Sequence, residues 1–294
     1  MKNNSYHLIW FVIFFLFISF LPGYTFASIR DFSHSPILFV HGHGLSPSDW
    51  DKIIEYLNKR GYPKEYLYAV SIKPSRMGNI RAAKTVIQQA ATSLLKTAVN
   101  AAYKNGYKGN LPQRIDIVSH SMGAVSSRWF VAKVQPELVR TWISLAGANH
   151  GSNALCNHTD DGARDLCPAY ARTTKESKVQ IELNGSQQTP LDETPYGLGI
   201  DRKEIQRISP DNIRNILYFT VRIEPDDWIK PEHSAILDGA GGLPVKIQSG
   251  LPVIQTTPGN FLFTADVDHD SLPGNYALIR FIADLLAVRD EKDN

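Results

Sequence analysis

Residues 115–123 read Ile-Asp-Ile-Val-Ser-His-Ser-Met-Gly, and this stretch decides the fold. It begins as an apolar strand, turns at Ser121 and runs into a helix-compatible stretch that opens with Ala124. The small residues Ser119 and Gly123 lie two positions to either side of Ser121, where a sharp turn from strand to helix leaves no room for a larger side chain. A serine at the apex of such a turn is typical of a nucleophile elbow, so the pattern predicts Ser121 as a nucleophile.

A serine hydroxyl is a weak nucleophile, so Ser121 needs a base within hydrogen-bond reach and a carboxylate that orients the base. In chains with this elbow, the carboxylate and then the histidine follow the serine in the sequence. Two histidines follow the strand predicted at 216–223, namely His233 and His269. His233 lies only a few residues beyond the nearest carboxylates, whereas His269 lies between the last predicted strand and the final predicted helix. His269 is therefore the predicted base.

Carboxylates cluster directly after the strand predicted at 216–223, at the end of the strand where the sites of open α/β sheets lie. They are Glu224, Asp226 and Asp227. We predict Asp226 as the acid that orients the histidine. The residues alone leave its two neighbours open as alternatives.

The same chemistry needs N–H donors for a developing oxyanion. Met122 follows the nucleophile, and its main-chain N–H is the first expected donor. The second is expected from the loop after the first strand, His41-Gly42-His43-Gly44, with the N–H of His43 as the candidate. The side chains of His41 and His43 could suggest a metal site, but no third ligand accompanies them, and we predict neither a metal nor a cofactor.

Apolar runs and helical stretches alternate along the chain, which predicts an α/β fold with a doubly wound, mostly parallel sheet. Strands are predicted at 36–40, 67–72, 114–118, 141–145, 216–223 and 253–257. Helices are predicted at 50–60, 79–103, 124–134 and 276–288. The stretch from 146 to about 212 is too long for an ordinary connection and is rich in Gly, Asn, Thr and Asp. We predict that it is an inserted cap over the carboxyl edge of the sheet.

The first 27 residues resemble a secretory signal peptide. Lys2 precedes an apolar run from Leu8 to Leu21, and the small residues Thr25 and Ala27 then follow the helix breakers Pro22 and Gly23. The run is shorter than the about 20 residues that span a bilayer. We therefore predict cleavage after Ala27, export to the periplasm or the medium, and a single domain over residues 28–294.

The chain contains two cysteines, Cys156 and Cys167, both beyond the leader. An even pair in an oxidising compartment predicts a disulfide that closes a short loop. Metal ligation is the alternative, but two thiols without matching histidine spacing make a poor zinc site.

Beyond these patterns, the chain resembles the secreted bacterial lipases and esterases of the α/β-hydrolase superfamily, in particular those of class 2. The matching stretches are 40–44, 119–123, 145–151, 226–231 and 268–272. The resemblance covers most of the chain after the leader except 152–212. In that family an Asp-x-x-Val pattern carries the acid, which matches Asp226 with Ile229 and favours Asp226 over Asp227. The family's oxyanion loop matches His43, while Ser119 stands where relatives have Gly or Ala.

Together these features predict an exported serine hydrolase that cleaves carboxylic esters through an acyl-enzyme. The expected partner is an ester substrate such as an acylglycerol, with contact to a lipid interface, and the oligomeric state is left open. The formal net charge of +2 and the lack of a basic run argue against nucleic-acid binding. One alternative is a depolymerase for polyhydroxyalkanoate or another polyester that uses the same triad. Another is a catalytically inactive hydrolase fold that serves for binding.

Overall fold

The computed structural model describes residues 30–168, 177–186, 189–190, 216–237 and 245–293. The predicted signal peptide and much of the predicted cap, including 191–215, lie outside these ranges. Within them, no helix has the combination of length and apolar character that a membrane span requires.

Within the described ranges, seven strands form one central sheet and two more form a small hairpin. The strands in chain order are β1 (Ile37–Val40), β2 (Leu67–Val70), β3 (Ile115–His120), β4 (Val139–Leu145), β5 (Gly185–Ser186), β6 (Thr189–Pro190), β7 (Leu217–Ile223), β8 (Val253–Thr257) and β9 (Asn260–Phe263). The central sheet has the order β2-β1-β3-β4-β7-β9-β8. All its neighbouring pairs are parallel except β8 and β9. The predicted doubly wound, mostly parallel sheet is confirmed.

Helices cover both faces of this sheet. They are α1 (Asp51–Lys59), α2 (Asn79–Arg81), α3 (Gln88–Lys104), α4 (Met122–Lys133), α5 (Asp161–Arg164), α6 (Lys178–Asn184) and α7 (Tyr276–Asp293). A π-helical segment, Ala82–Ile87, joins α2 to α3. The single helix predicted at 79–103 therefore consists of three consecutive helical segments.

The central strands are buried on both faces, which explains why they read as nearly continuous apolar runs. Successive side chains of a strand point to opposite faces. In β1, Leu38 and Val40 pack in the cluster that contains residues of α3 and α4, whereas Ile37 and Phe39 pack in the cluster that contains residues of α1 and α7. The sheet is thus the middle of three layers.

The strand β9 is absent from the sequence prediction, and its position changes the end of the sheet. β8 and β9 form an antiparallel hairpin around Gly259, which has a positive φ of 76°. β9 pairs with β7, and β8 therefore becomes the edge strand. β9 has only four residues and begins with a buried Asn260, which is why its apolar pattern is too short to recognise. His269 lies in the loop that follows β9, and α7 begins after that loop.

A buried arginine of α4 forms hydrogen bonds to the connection between β4 and β7. Arg128 of α4 donates to the carbonyl oxygens of Asn149 and Leu183 and to the side-chain oxygen of Asn184, at 2.8, 3.0 and 2.8 Å. These partners come from the start of the connection and from α6. The described part of the predicted cap is therefore anchored to the helix that follows Ser121.

Candidate active site

Ser121 lies in a strained turn at the junction of β3 and α4. Its φ and ψ are 53° and −124°, a conformation that non-glycine residues rarely adopt. A Cβ on Gly123 would lie 2.4 Å from the carbonyl oxygen of His41 and 2.5 Å from that of Val40. Only glycine fits there, because α4 approaches the backbone of the neighbouring strand.

The departure at Ser119 has a structural reason. This buried serine donates its hydroxyl to the carbonyl oxygen of Ile143 in β4 at 2.9 Å. The hydroxyl therefore has an acceptor in the adjacent strand, and the turn accommodates a serine at this position.

Asp226 and His269 meet in a buried hydrogen bond. Nδ1 of His269 lies 2.9 Å from Oδ2 of Asp226, and both residues are at most 3% exposed. Since a carboxylate only accepts, Nδ1 carries the proton and Nε2 is left for a second partner. Oδ1 of Asp226 accepts the main-chain N–H groups of Trp228 and Ile229 at 2.8 and 2.9 Å. The carboxylate is thus fixed on both of its oxygens.

The other candidates for acid and base do not enter this pair. Asp227 and His233 are exposed. Glu224 is exposed as well and pairs with Arg222 at 2.8 Å. Of the residues that the sequence left open, the structure brings only Asp226 to His269.

The His269 ring lies beside the elbow. Its centroid is 4.8 Å from that of His120, the residue that directly precedes Ser121. Nε2 of His269 is buried and has no hydrogen-bond partner among the described residues. In unliganded enzymes, the bond between nucleophile and base is often long and shortens only when substrate binds. Nε2 of His269 is therefore free to accept a proton, and its ring lies next to the residue that precedes Ser121.

Two further histidines near the elbow, His120 and His41, are buried. Burial lowers the pKa of His120 well below its usual range, and the neighbouring His269 ring lowers it further. Burial also lowers the pKa of His41. Its Nδ1 lies 2.9 Å from the Gly42 carbonyl oxygen, and its Nε2 accepts the N–H of Ile72 at 3.1 Å. His41 is thus held neutral, and it fastens the loop after β1 to the end of β2.

The two predicted oxyanion donors lie on either side of the elbow, one at the start of a helix and one in a loop. Met122 is the first residue of α4, and the first N–H groups of a helix have no acceptor within it. His43 lies in the loop after β1, where Gly42 is so close to the elbow that a Cβ would lie 2.9 Å from Cβ of Ser121. The next residue, Gly44, has a φ of 73° and donates its N–H to Ser75 at 3.2 Å.

The predicted disulfide is present, and its loop lies against the site. Cys156 and Cys167 are bonded, with their Cα atoms 4.5 Å apart. Within the loop that they close, Oδ1 of Asp160 lies 2.9 Å from Nε2 of His43. Just before the loop, Ser152 donates its hydroxyl to the carbonyl oxygen of Trp228 at 2.5 Å.

Sequence reasoning missed Asp160 and Ser152. Asp160 could have been recognised as the N-cap of α5, but its second partner, His43, is 117 residues away and gives no local signal. No group of three or more His, Cys, Asp or Glu side chains with the arrangement of a metal site occurs in the described part of the chain.

The family model described as Lipase (class 2) matches residues 34–195, more than half of the chain. The chain belongs to the class 2 lipase family. The matched residues of this family member include Ser121 and His43, whereas Asp226 and His269 lie beyond them. The place of these two residues in the site therefore depends on the geometry described above.

Individual relatives of this class 2 lipase family member are distant. A triacylglycerol lipase of Pseudomonas fragi is 32% identical over 82 residues, which are 24% of this chain and only 28% of the relative. Among solved structures, the mature Bacillus licheniformis lipase BlEst2 has a TM-score of 0.50 at 16% identity, over 87% of this chain and 94% of the other. Its propeptide form has a TM-score of 0.51 at 18% identity, over 87% of this chain and 51% of the other. These likenesses show the fold, and the predicted α/β-hydrolase fold is confirmed.

Proposed function

We propose that this protein is an exported serine hydrolase that cleaves carboxylic esters, of the lipase and esterase type. One observation carries the proposal: the buried bond between His269 and Asp226 lies next to a serine in a strained elbow. These are the three groups that an elbow hydrolase needs, in the chain order Ser, Asp, His. Family membership adds support that does not depend on this geometry.

In the proposed first half-reaction, Oγ of Ser121 attacks the carbonyl carbon of the ester while Nε2 of His269 takes the hydroxyl proton. Asp226 holds the imidazole in the tautomer with Nδ1 protonated and stabilises the imidazolium that forms. The main-chain N–H groups of His43 and Met122 stabilise the negative charge on the carbonyl oxygen. The imidazolium then gives its proton to the departing alcohol, and an acyl-enzyme on Ser121 remains.

The second half-reaction reverses these roles with water. His269 takes a proton from the water, which attacks the acyl carbonyl, and the same N–H groups stabilise the second oxyanion. Collapse of this intermediate returns the proton from His269 to Ser121 and releases the carboxylic acid. The buried neutral His120 adds no positive charge beside His269 during either step.

The proposed substrates are acylglycerols or other carboxylic esters at a lipid interface. The name triacylglycerol lipase belongs to the Pseudomonas fragi relative and supports this class only through a short matched segment. Export rests on the sequence pattern of residues 1–27 and on the Cys156–Cys167 bridge, since disulfides persist in oxidising compartments. A polyester depolymerase is the second candidate, because Trp228, two residues after the proposed acid, is 42% exposed and offers an aromatic surface to a polymer chain.

A hydrolysis panel tests the proposal. The purified protein is assayed on p-nitrophenyl esters from acetate to palmitate, on emulsified triglyceride and on polyester film, beside Ser121→Ala. We expect Ser121→Ala to lose about 10⁴-fold or more in kcat, with its thermal unfolding midpoint nearly unchanged. Labelling by a fluorophosphonate in the wild type but not in Ser121→Ala would identify the nucleophile directly. Equal activity of the two proteins would exclude this mechanism, and an unreactive wild type would indicate a binding protein.

A further inference from the structure

Asp160 connects the disulfide loop to the loop after β1 through a single carboxylate oxygen. Its Oδ1 accepts the main-chain N–H of Ala163 at 2.9 Å, which caps α5. The same oxygen lies 2.9 Å from Nε2 of His43. Since a carboxylate oxygen only accepts, Nε2 of His43 is the donor.

The disulfide loop also lies against Met122, the other proposed oxyanion residue. A Cβ on Gly162 would lie 2.7 Å from Sδ of Met122 and 2.8 Å from the carbonyl oxygen of Arg76. Gly162 donates its N–H to that oxygen at 3.0 Å, and Asp165 accepts the N–H of Asn79 at 2.7 Å. The loop is therefore firmly seated between the start of α2 and the elbow, and its glycine is required at this contact.

The charge on Asp160 favours its bond to His43. Burial raises the pKa of this carboxyl, but the Ala163 N–H and the His43 ring outweigh burial, and the pKa is lower than usual. The carboxyl is therefore ionised at neutral pH, where a charge-assisted hydrogen bond is stronger than a neutral one.

We propose that Asp160 is a positioning residue that holds the loop after β1 so that the His43 N–H stays directed at the oxyanion. This inference rests on the proposed ester hydrolysis and adds to it a role for the disulfide loop. The loop after β1 has two glycines, Gly42 and Gly44, which give its backbone conformational freedom. A side-chain anchor on the residue between them removes that freedom, and oxyanion donors act only when they are fixed in advance.

Substitutions at Asp160 can distinguish its role as the N-cap of α5 from its hydrogen bond to His43. Asp160→Ser keeps a good N-cap for α5, but its hydroxyl is too short to reach His43 as well. Asp160→Asn keeps an oxygen in the Oδ1 position for both donors and should rescue function. Asp161→Asn is the matched control, because the neighbouring Asp161 is exposed and pairs with Arg164 on the surface. His43→Phe removes the same bond from the other side and leaves the cap intact.

We expect Asp160→Ser to lower kcat on a p-nitrophenyl ester by about 10- to 100-fold, since small displacements of catalytic groups have effects of this size. KM should change by less than about 2-fold, because ground-state binding does not use the oxyanion donors fully. Asp160→Asn and Asp161→Asn should stay within about 3-fold of the wild-type kcat. Binding of an alkylboronic acid, whose adduct imitates the tetrahedral intermediate, should weaken in parallel with kcat.

A double-mutant cycle gives the decisive measurement. His43→Phe should show the loss seen in Asp160→Ser, and the double variant should be no worse than either one, because both remove one interaction. The proposal would be overturned if the kcat losses of the two single variants multiplied in the double variant. It would also be overturned if Asp160→Ser kept its kcat. An Asp160→Asn variant as impaired as Asp160→Ser would overturn it as well. If Asp160→Ser does not fold, the kcat of His43→Phe tests the proposal alone, and a kcat equal to that of the wild type would overturn it. Failure of the proposed function is distinct, since wild type and Ser121→Ala would then show the same rate.

Discussion

Asp226 and Asp227 are neighbours in the sequence with opposite surroundings. Asp226 is buried and bonded to His269, whereas Asp227 is exposed. We expect Asp226→Asn to lower kcat by about 10³- to 10⁴-fold, because the amide cannot hold the histidine in the required tautomer. Asp227→Asn, the matched control, should change kcat by less than about 3-fold. Rates measured on a soluble p-nitrophenyl ester show which of the two carboxylates orients His269. A severe loss in Asp227→Asn would mean that Asp227 is the acid.

The rate should show a single rise with pH, because the proposed reaction uses one base. A base that already carries a proton cannot accept the proton of Ser121, so the reaction is slower in acid. Asp226 faces the ring from the loop after β7, and His120 faces it from the elbow. The pKa of His120 lies well below its usual range, so that imidazole stays neutral throughout the rise. A profile of kcat/KM with two ionisations on this limb would show that His120 titrates as well.

At the scale of elements, the disulfide loop is the part that we expect to lose its structure first. The Cys156–Cys167 bridge restricts the unfolded chain and so contributes about 2–4 kcal/mol to the free energy of unfolding. Because the bridge lies outside the sheet, we expect reduction to lower activity on bulky esters, or local resistance to protease, before the core unfolds. Activity on a panel of esters and far-UV circular dichroism, each measured with and without reductant, show whether activity is lost before the core unfolds. Two reactive thiols in denatured, unreduced protein from an oxidising compartment would contradict the bridge.

Elements could be predicted from the sequence where burial is continuous. β3, β4 and β7 have six or seven residues each and are almost fully buried, so their apolar runs are plain in the sequence. β9 was missed because four residues carry too little pattern. At the site, the order of residues along the chain predicts Ser121 and His269. The choice of Asp226 over the carboxylates beside it depends on burial, which the structure shows. The bond from Asp160 to His43 has no sequence signal, since it depends on how two distant loops pack.

At the scale of the whole molecule, the buried histidines should make stability depend on pH. Unfolded histidines take up protons near pH 6.5. In the folded protein, the pKa values of His41 and His120 are lowered by burial, so the folded state binds fewer protons. Their contribution to stability is therefore present above about pH 6.5 and is lost as the pH falls, by up to about 1.4 kcal/mol per pH unit for each.

The test compares urea unfolding at pH 7 and pH 5. His120→Phe should lose less of its free energy of unfolding between these pH values than the wild type, because one proton-binding group is gone from the unfolded chain. His233→Asn, at an exposed position, should lose as much as the wild type. Equal losses in all three proteins would mean that His120 takes up its proton without unfolding.

The place of β9 in the sheet also sets when the protein becomes competent during its synthesis. A chain that has emerged only as far as residue 250 already contains Ser121 and Asp226, but neither β9 nor the histidine that follows it. β9 pairs with β7 and directly precedes the loop that holds His269, so we expect β9 to join the sheet before His269 meets Asp226. On the proposed assignment, hydrolytic activity is thus acquired late in folding, and a chain that still lacks β9 is inactive.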